Sequence, residues 1–318
     1  MERIIQRIND SDWEAAAEAL LDVMETHEFN DTIAVLAATI NEQLGDDDMM
    51  FSFIEKGLLY NYKNYELYLL LGNYYAARNV NQAYLCYENA LYFCEGTEDY
   101  EYISELLDNF KKENSVNVPP YSFVILSYNT LELTRKCIES IRRNCKKGSY
   151  EIIIVDNASS DGSLEYLRQQ EDIALIANDV NVGFPAGCNQ GIAESAQGND
   201  IMLLNSDTIV MPNAMFTLRM GLYASEDNGT AGCVTNFSGN SQIIGESFES
   251  IADYENYSIK NNIMREHIYE YKAWLVGFAL LLKRSALDCV GEGLDERFSP
   301  GNFEDDDLCL RMLSMGYH

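Results

Sequence analysis

Apolar positions in the first third of the chain recur at helical spacing. Trp13, Ala16, Ala17, Leu20, Leu21 and Met24 line one face, with Asp10 or Ser11 as the predicted cap. Ile33, Leu36, Ala37 and Ile40 mark a second helix ending near Gly45. Met50, Phe53, Ile54 and Leu58 mark a third, and Ile103, Leu106, Leu107 and Phe110 a last one over about Tyr100–Lys112. Lys111–Pro120 breaks the pattern, charged and ending in two prolines. Short apolar runs then alternate with helical stretches. Strands are predicted at Ser122–Ser127, Glu151–Val155, Ala174–Ala177, Ile201–Leu204, Ala231–Thr235 and Ala279–Leu282, with helices at Leu131–Arg143 and Ser163–Gln170 among those between them. That alternation implies a mostly parallel sheet covered on both faces. The expected domains are an all-α one over 1–115, a linker at 116–120 and an α/β one over 121–318.

In the helical part, Leu71, Gly72 and Tyr75 followed by Ala83, Tyr87 and Ala90 resemble a tetratricopeptide repeat shortened by one residue between its helices. Small residues at 72, 83 and 90 let paired helices approach, and the tyrosines fill the groove. The resemblance implies either a protein partner at the repeats or packing on the neighbouring domain.

Composition removes several function classes. The net charge is −29, spread over both parts, which argues against nucleic acid and anionic membrane surfaces, since both need Lys and Arg clusters. Eight cysteines without a C-x-x-C pair, and three histidines, argue against a zinc or His-rich metal site. The longest apolar run, Ala273–Leu282, is about half of a membrane span. Together with the lack of a basic-then-apolar leader, this predicts a cytoplasmic protein with reduced thiols.

Ligands of parallel sheets sit beyond the carboxyl ends of the strands, and the polar clusters of this chain follow strands. Ser127-Tyr128-Asn129 ends the first. Asp156-Asn157 opens a polar run to Ser163 after the second, where the Asp156 carboxylate can accept from a pyrimidine N–H or ribose hydroxyls; the alternative is a plain turn into a capped helix. Gly183, Phe184, Gly187, Asn189 and Gly191 lie on a loop entering a helix, suited to a diphosphate or ribose, or else, for Gly187 and Gly191, to close helix packing. Asn205-Ser206-Asp207 follows a buried strand and places Asn205 and Asp207 on the same side, a donor pair suited to Mg²⁺ or Mn²⁺ completed by a diphosphate. Glu304 and Asp305 open a helix continued by Leu308, Met312 and Met315 as one apolar face. Carboxylates are favoured at such a helix start, and an acid aimed at a cleft is a candidate general base; the alternative is that four acids merely begin a helix.

Ser-Tyr-Asn, Asp-Asn-Ala-Ser-x-Asp-Gly-Ser, Asn-x-Gly-Phe-x-x-Gly-x-Asn-x-Gly, Leu-Asn-x-Asp-Thr and Glu-Asp-x-Asp-Leu-Cys-x-Arg occur here in that order. Together they resemble glycosyltransferase family 2, enzymes of GT-A fold, and in particular its rhamnosyltransferase-like bacterial members, over about Tyr121 to the C-terminus. The resemblance implies inverting transfer from a UDP- or dTDP-linked sugar to a glycan or protein hydroxyl, assisted by Mn²⁺ or Mg²⁺. By position, Asp156 reads the base and Ser127, Tyr128 and Asn129 line its pocket. Gly183, Phe184 and Asn189 form the nucleotide-side loop. Asp207 binds the metal, with Asn205 in place of the first Asp of Asp-x-Asp. Asp305 is the base with Glu304 beside it, and Trp274 and Gly277 face donor sugar and acceptor. The family pattern continues past Gly316-Tyr317 to a metal-binding His that His318 does not match in spacing, which predicts a truncated chain. Two rival readings are a nucleotide-binding scaffold carrying helical repeats and a sugar nucleotidylyltransferase. The latter wants a basic residue in the first glycine-rich loop, and Ser127–Thr130 has none.

Overall fold

The computed structural model describes residues 1–238, 241–265, 268–291 and 293–318. Among them lie fourteen α-helices and six strands. The chain separates into two compact units, one of Met1–Val118 with Ile259–Ile268, the other of Pro119–Ser258 with Tyr269–His318.

The first unit contains helices α1 (Glu2–Asn9), α2 (Trp13–Thr26), α3 (Asp31–Leu44), α4 (Asp47–Tyr60), α5 (Tyr65–Ala76), α6 (Val80–Phe93) and α7 (Tyr100–Glu113). Asn and Asp side chains start most of them. Asp12 accepts from Ala15 N, Asn30 from Ile33 N, Asp46 from Met49 N and Asn64 from Leu67 N. The cap of α2 is therefore Asp12, whose side chain accepts from the first-turn N–H of Ala15, rather than Asp10 or Ser11. Gly45, at φ 75°, stops α3 as predicted. The α5–α6 pair is as close as its small residues suggested: a Cβ on Gly72 would lie 2.2 Å from the Tyr87 ring.

The second unit is built on one sheet: β1 (Tyr121–Ser127), β2 (Tyr150–Asp156), β3 (Ile173–Ala177), β4 (Asp200–Asn205), β5 (Thr230–Gly232) and β6 (Ala279–Leu282). Its order is β3-β2-β1-β4-β6-β5. The first four run parallel, and β6 is antiparallel to both β4 and β5. Five of six strands thus point one way, as the α/β alternation predicted. The connections carry α8 (Leu131–Asn144), α9 (Ser163–Leu167), α10 (Phe184–Glu194), α11 (Ala214–Leu222), α12 (Ile251–Asn261) and α13 (Arg284–Val290); α14 (Glu304–Ser314) follows. Val124, Ile153, Leu203 and Leu280 on one sheet face join Leu287, Leu308 and Met312 in a buried cluster. The opposite parity, Phe123, Ile125, Ile154, Met202 and Leu204, is buried too. Both faces are covered.

Three predicted elements differ. Helix α9 ends at Leu167 rather than Gln170, because Gln169 and Gln170 N–H bond to carbonyls only three residues back. The strand predicted at Ala231–Thr235 is Thr230–Gly232, and Thr235 instead bridges to the Gln242–Ile244 segment. Met315 does not continue the buried face of α14 but is 58% exposed. The helix stops at Ser314, Gly316 turns the chain at φ 92°, and Tyr317 packs on the cluster in its place. His318 donates from its backbone N–H to Asp227, and its carbonyl accepts from Gly229 and Thr230.

Candidate functional site

The site is assembled by sheet register. Ser127 pairs with Asp156 across β1 and β2, and Leu126 with Asn205 across β1 and β4, so the turns after β1, β2 and β4 leave from one edge. Because β6 runs antiparallel to β4, with Ala279 opposite Leu204, the segment entering β6 meets that same edge. Asn205 N–H donates to Phe278 O at 2.8 Å. Gly277 N–H donates to Asp305 Oδ2 at 2.7 Å, which mounts the start of α14 there as well.

Asp156 is fully buried. Its Oδ2 accepts from Ser159 N–H at 3.0 Å, whereas Oδ1 is buried without a hydrogen-bond partner. A carboxylate oxygen left so is costly and awaits a donor. The neighbouring turn is braced around it. Asn129, at φ 54°, accepts from Ser160 N–H and donates from its own N–H to Ser159 Oγ; Asp161 takes the open Leu131 N–H of α8. Those hydrogen bonds hold Asp161 below the usual carboxylate range, that from Ser163 Oγ contributing most. Beneath the turn, Ser127, Thr134, Thr130 and Ser206 form a chain of hydroxyls, and Tyr128 is half exposed.

Asn157 joins this turn to the glycine loop: its Nδ2 donates to Asn181 Oδ1 and Gly183 O, and its Oδ1 accepts from Asn178. Gly183 has φ 88°, and a Cβ there would lie 2.4 Å from Ser299 Oγ, so glycine is needed twice over. Phe184 N–H, at the start of α10, donates to Pro300 O at 2.8 Å. Farther along α10, Gly187 and Gly191 serve packing: a Cβ would come within 2.3 Å of Leu126 and 2.4 Å of Val124 respectively.

Asn205 ends β4, and Asp207 follows it exposed. Burial, with the Asp207 charge adding to it, pushes the nearby Cys137 thiol up to about 12. Among the described residues no three His, Cys, Asp or Glu side chains gather as a metal cage. The donors at hand, one exposed carboxylate and the amide of Asn205, suit a cation that arrives with phosphate oxygens, not one held by protein alone.

At α14, Glu304 is buried and accepts from Asn302 N–H, which closes the turn before the helix. Asp305 also accepts from Asp306 N–H at 2.9 Å. Burial, then the charge of Asp305, raises the Asp306 carboxyl. Phe303, at φ 71°, is exposed between them and the Gly301–Asn302 turn. Trp274, three residues before Gly277, is 51% exposed.

Ser127, Tyr128, Asn129, Asp156, Asn157, Gly183, Phe184, Asn205, Ser206, Asp207, Gly277, Glu304 and Asp305 are thus linked in sequence around one edge. Asn189 stands apart, more than a turn along α10, with its amide bonded to Leu294 and Glu296. A hollow of about 950 Å³ opens beside it, lined by Ile192, Ser195, Arg284, Asp288 and Arg297 among others; none of Asp156, Asp207 and Asp305 lines it. Two further residues, Asn181 and Gln242, brace this frame. Asn181 accepts from both Asn157 and Gly183, and Gln242 bridges Cys233 O to Val276 N–H. Asn181 lies inside the Asn-x-Gly motif, but nothing local marks Gln242.

The sequence model of the family described as glycosyl transferase family 2 matches residues 122–291. A poly(ribitol-phosphate) beta-glucosyltransferase of Bacillus spizizenii is 33% identical over 99 residues, 30% of this chain and 16% of that protein. A putative glycosyltransferase, EpsH, of Bacillus subtilis is 34% identical over 102 residues, 31% of this chain and 29% of that one. The chain spans less than a third of the length of the curated relatives it matches. Among solved structures, a mannosyltransferase from Pyrobaculum calidifontis in complex with GDP-Man and Mn²⁺ aligns with a TM-score of 0.44 and 17% identity, covering 74% of this chain and 65% of that one. The family match takes in more than half of the chain, from β1 through α13, and with it the turns that carry Asp156, Gly183 and Asp207; the chain belongs to glycosyl transferase family 2.

Proposed function

We propose that this chain transfers a sugar, with inversion, from a nucleoside-diphosphate sugar to an acceptor hydroxyl of a glycan or protein. The observation that carries the reading is the partnerless, fully buried Oδ1 of Asp156 at the strand edge shared with Asn205 and, through Gly277, with Asp305. A uracil or thymine N–H supplies the donor that oxygen lacks, in keeping with a UDP- or dTDP-linked sugar. Gly183 and Phe184 border the nucleotide side at the start of α10, their own N–H groups being bonded to Asn181 Oδ1 and Pro300 O. Trp274 and Gly277 border the sugar, while Ser127, Tyr128 and Asn129 line the nucleotide side.

Asp305 removes the proton from the acceptor hydroxyl as its oxygen attacks the anomeric carbon. The bond to the diphosphate breaks on the opposite face, and the diphosphate leaves with the electron pair. Hydrogen bonds from Gly277 and Asp306 N–H fix the direction of the Asp305 carboxylate, and Glu304 shapes the turn that presents it. Asp207, with Asn205 near it, would hold a Mn²⁺ or Mg²⁺ ion, which when bound neutralises charge on the departing diphosphate. Residues 1–115 are read as a helical docking domain for a protein partner, 116–120 as its linker and 121–318 as the catalytic domain.

The test uses donor hydrolysis and nucleotide calorimetry with UDP-glucose, UDP-N-acetylglucosamine, dTDP-rhamnose and GDP-mannose, each with and without Mn²⁺. Asp305→Asn should lower turnover by roughly 10²–10⁴-fold while nucleotide binding stays unchanged. Asp207→Ala should weaken donor binding only when Mn²⁺ is present. Wild-type turnover in Asp305→Asn would remove the base; equal donor affinity of Asp207→Ala and wild type in Mn²⁺ would remove the metal ligand.

A further inference from the structure

Asn189 spends its whole amide on a distant loop. Its Nδ2 donates to Leu294 O at 2.8 Å and Glu296 Oε1 at 3.1 Å, and its Oδ1 accepts from Leu294 N–H at 2.8 Å. Gly293 lies flat against it, since a Cβ there would come within 2.3 Å of Oδ1. The same two-residue stretch is gripped from α14: Arg311 donates to Gly293 O at 2.6 Å and to Asp307 Oδ2 at 2.7 Å. The far end of the loop is seated on the glycine turn through Phe184 N–H and Pro300 O, and closes on Glu304 through Asn302 N–H.

We infer that Asn189 is a positioning residue that sets the general base Asp305 against the donor loop, by clamping Leu294 to α10 while Arg311 clamps Gly293 to α14. The inference rests on the proposed transfer reaction for its consequence, but the clamp itself is independent of it. Helix α10 begins at Gly183–Phe184 and α14 begins at Glu304–Asp305. The loop of residues 293–302 is the piece of chain held by both. Losing one end of it lets the start of α14 shift while the nucleotide side, braced separately by Asn157 and Asn181, stays in place. Displacement of about 1 Å in a reacting group costs roughly a hundredfold in rate.

Three variants test this in the 318-residue chain. Asn189→Ala should lower kcat for hydrolysis of whichever of those four nucleotide sugars the wild type turns over by about ten- to a hundredfold, with KM and UDP affinity unchanged. Hydrogen–deuterium exchange should rise at residues 293–306 and not in β1, β2 or β4. Asn189→Asp sets a carboxylate against Leu294 O and Glu296 and should be as impaired. Adding Glu296→Gln to Asn189→Asp restores a donor across that contact and should recover part of kcat. A loss seen in UDP affinity with kcat unchanged would instead put Asn189 on the donor and overturn the inference, as would unchanged exchange over residues 293–306 in Asn189→Ala. A wild-type protein that hydrolyses none of the four would count against the transfer reaction, while the exchange data would still decide the clamp.

Discussion

Tyr223 donates its phenol proton to Asp200 Oδ2 at 2.6 Å, and Arg284 N–H donates to Oδ1 at 3.0 Å. Burial holds the Asp200 carboxyl above its ordinary range despite these bonds, and burial followed by the charge of Asp200 pushes the Tyr223 phenol up. A carboxyl raised on folding contributes fully below its unfolded pKa, and that contribution is lost as pH climbs through the folded value. Ionised Asp200 is thus a cost near neutrality that the tyrosine offsets. Tyr223→Phe should destabilise by about 1–3 kcal/mol at neutral pH, and urea titrations should show the deficit shrinking as pH falls through the carboxylate range. An equal deficit at acid and neutral pH would contradict this account. Asp200 and Tyr223 were silent in the sequence, as were the three bonds from Asn189, because their partners are brought close only by tertiary folding. The position of Asp156 was legible for the opposite reason: it ends an almost wholly β-branched strand, so strand direction alone takes it to the carboxyl edge of the sheet.

At the scale of elements, α10 shows what spacing can and cannot tell. Gly187 and Gly191, four apart, share one helix face, and that face could have met either a diphosphate or a strand. The structure sets both against β1, with Leu126 and Val124 where a Cβ would go. Gly191→Ala should therefore cost about 1–3 kcal/mol by overpacking. The expected reading is a lower urea midpoint with an unchanged slope, and an unaltered midpoint would show the strand yielding. Long helices with an internal pattern, such as α3 and α4, were predictable from that pattern. The short ones were set by neighbours: β5 stops at Gly232 because the chain leaves for the Gln242 bridge, and α14 hands its last apolar position from Met315 to Tyr317 at a glycine turn. No periodicity records such a handover.

For the molecule as a whole, the change from helical spacing to strand–helix alternation near Pro119-Pro120 coincides with the point where the two compact units first part, at Val118 and Pro119. The sequence held no sign that residues 259–268, deep in the later part, would cluster with the first unit. Within that stretch Ile263 is fully buried and Met264 nearly so. The backbone therefore crosses between units three times, after Val118, after Ser258 and after Ile268. An excised fragment beginning at Pro119 would retain this stretch and lose the helices it clusters with. Such a fragment should bind a hydrophobic dye and self-associate, whereas the intact protein should do neither; a clean, dye-silent monomer would refute the expectation. Any attempt to isolate the sheet-bearing half by a single cut must therefore also redesign a ten-residue detour embedded far downstream of the incision.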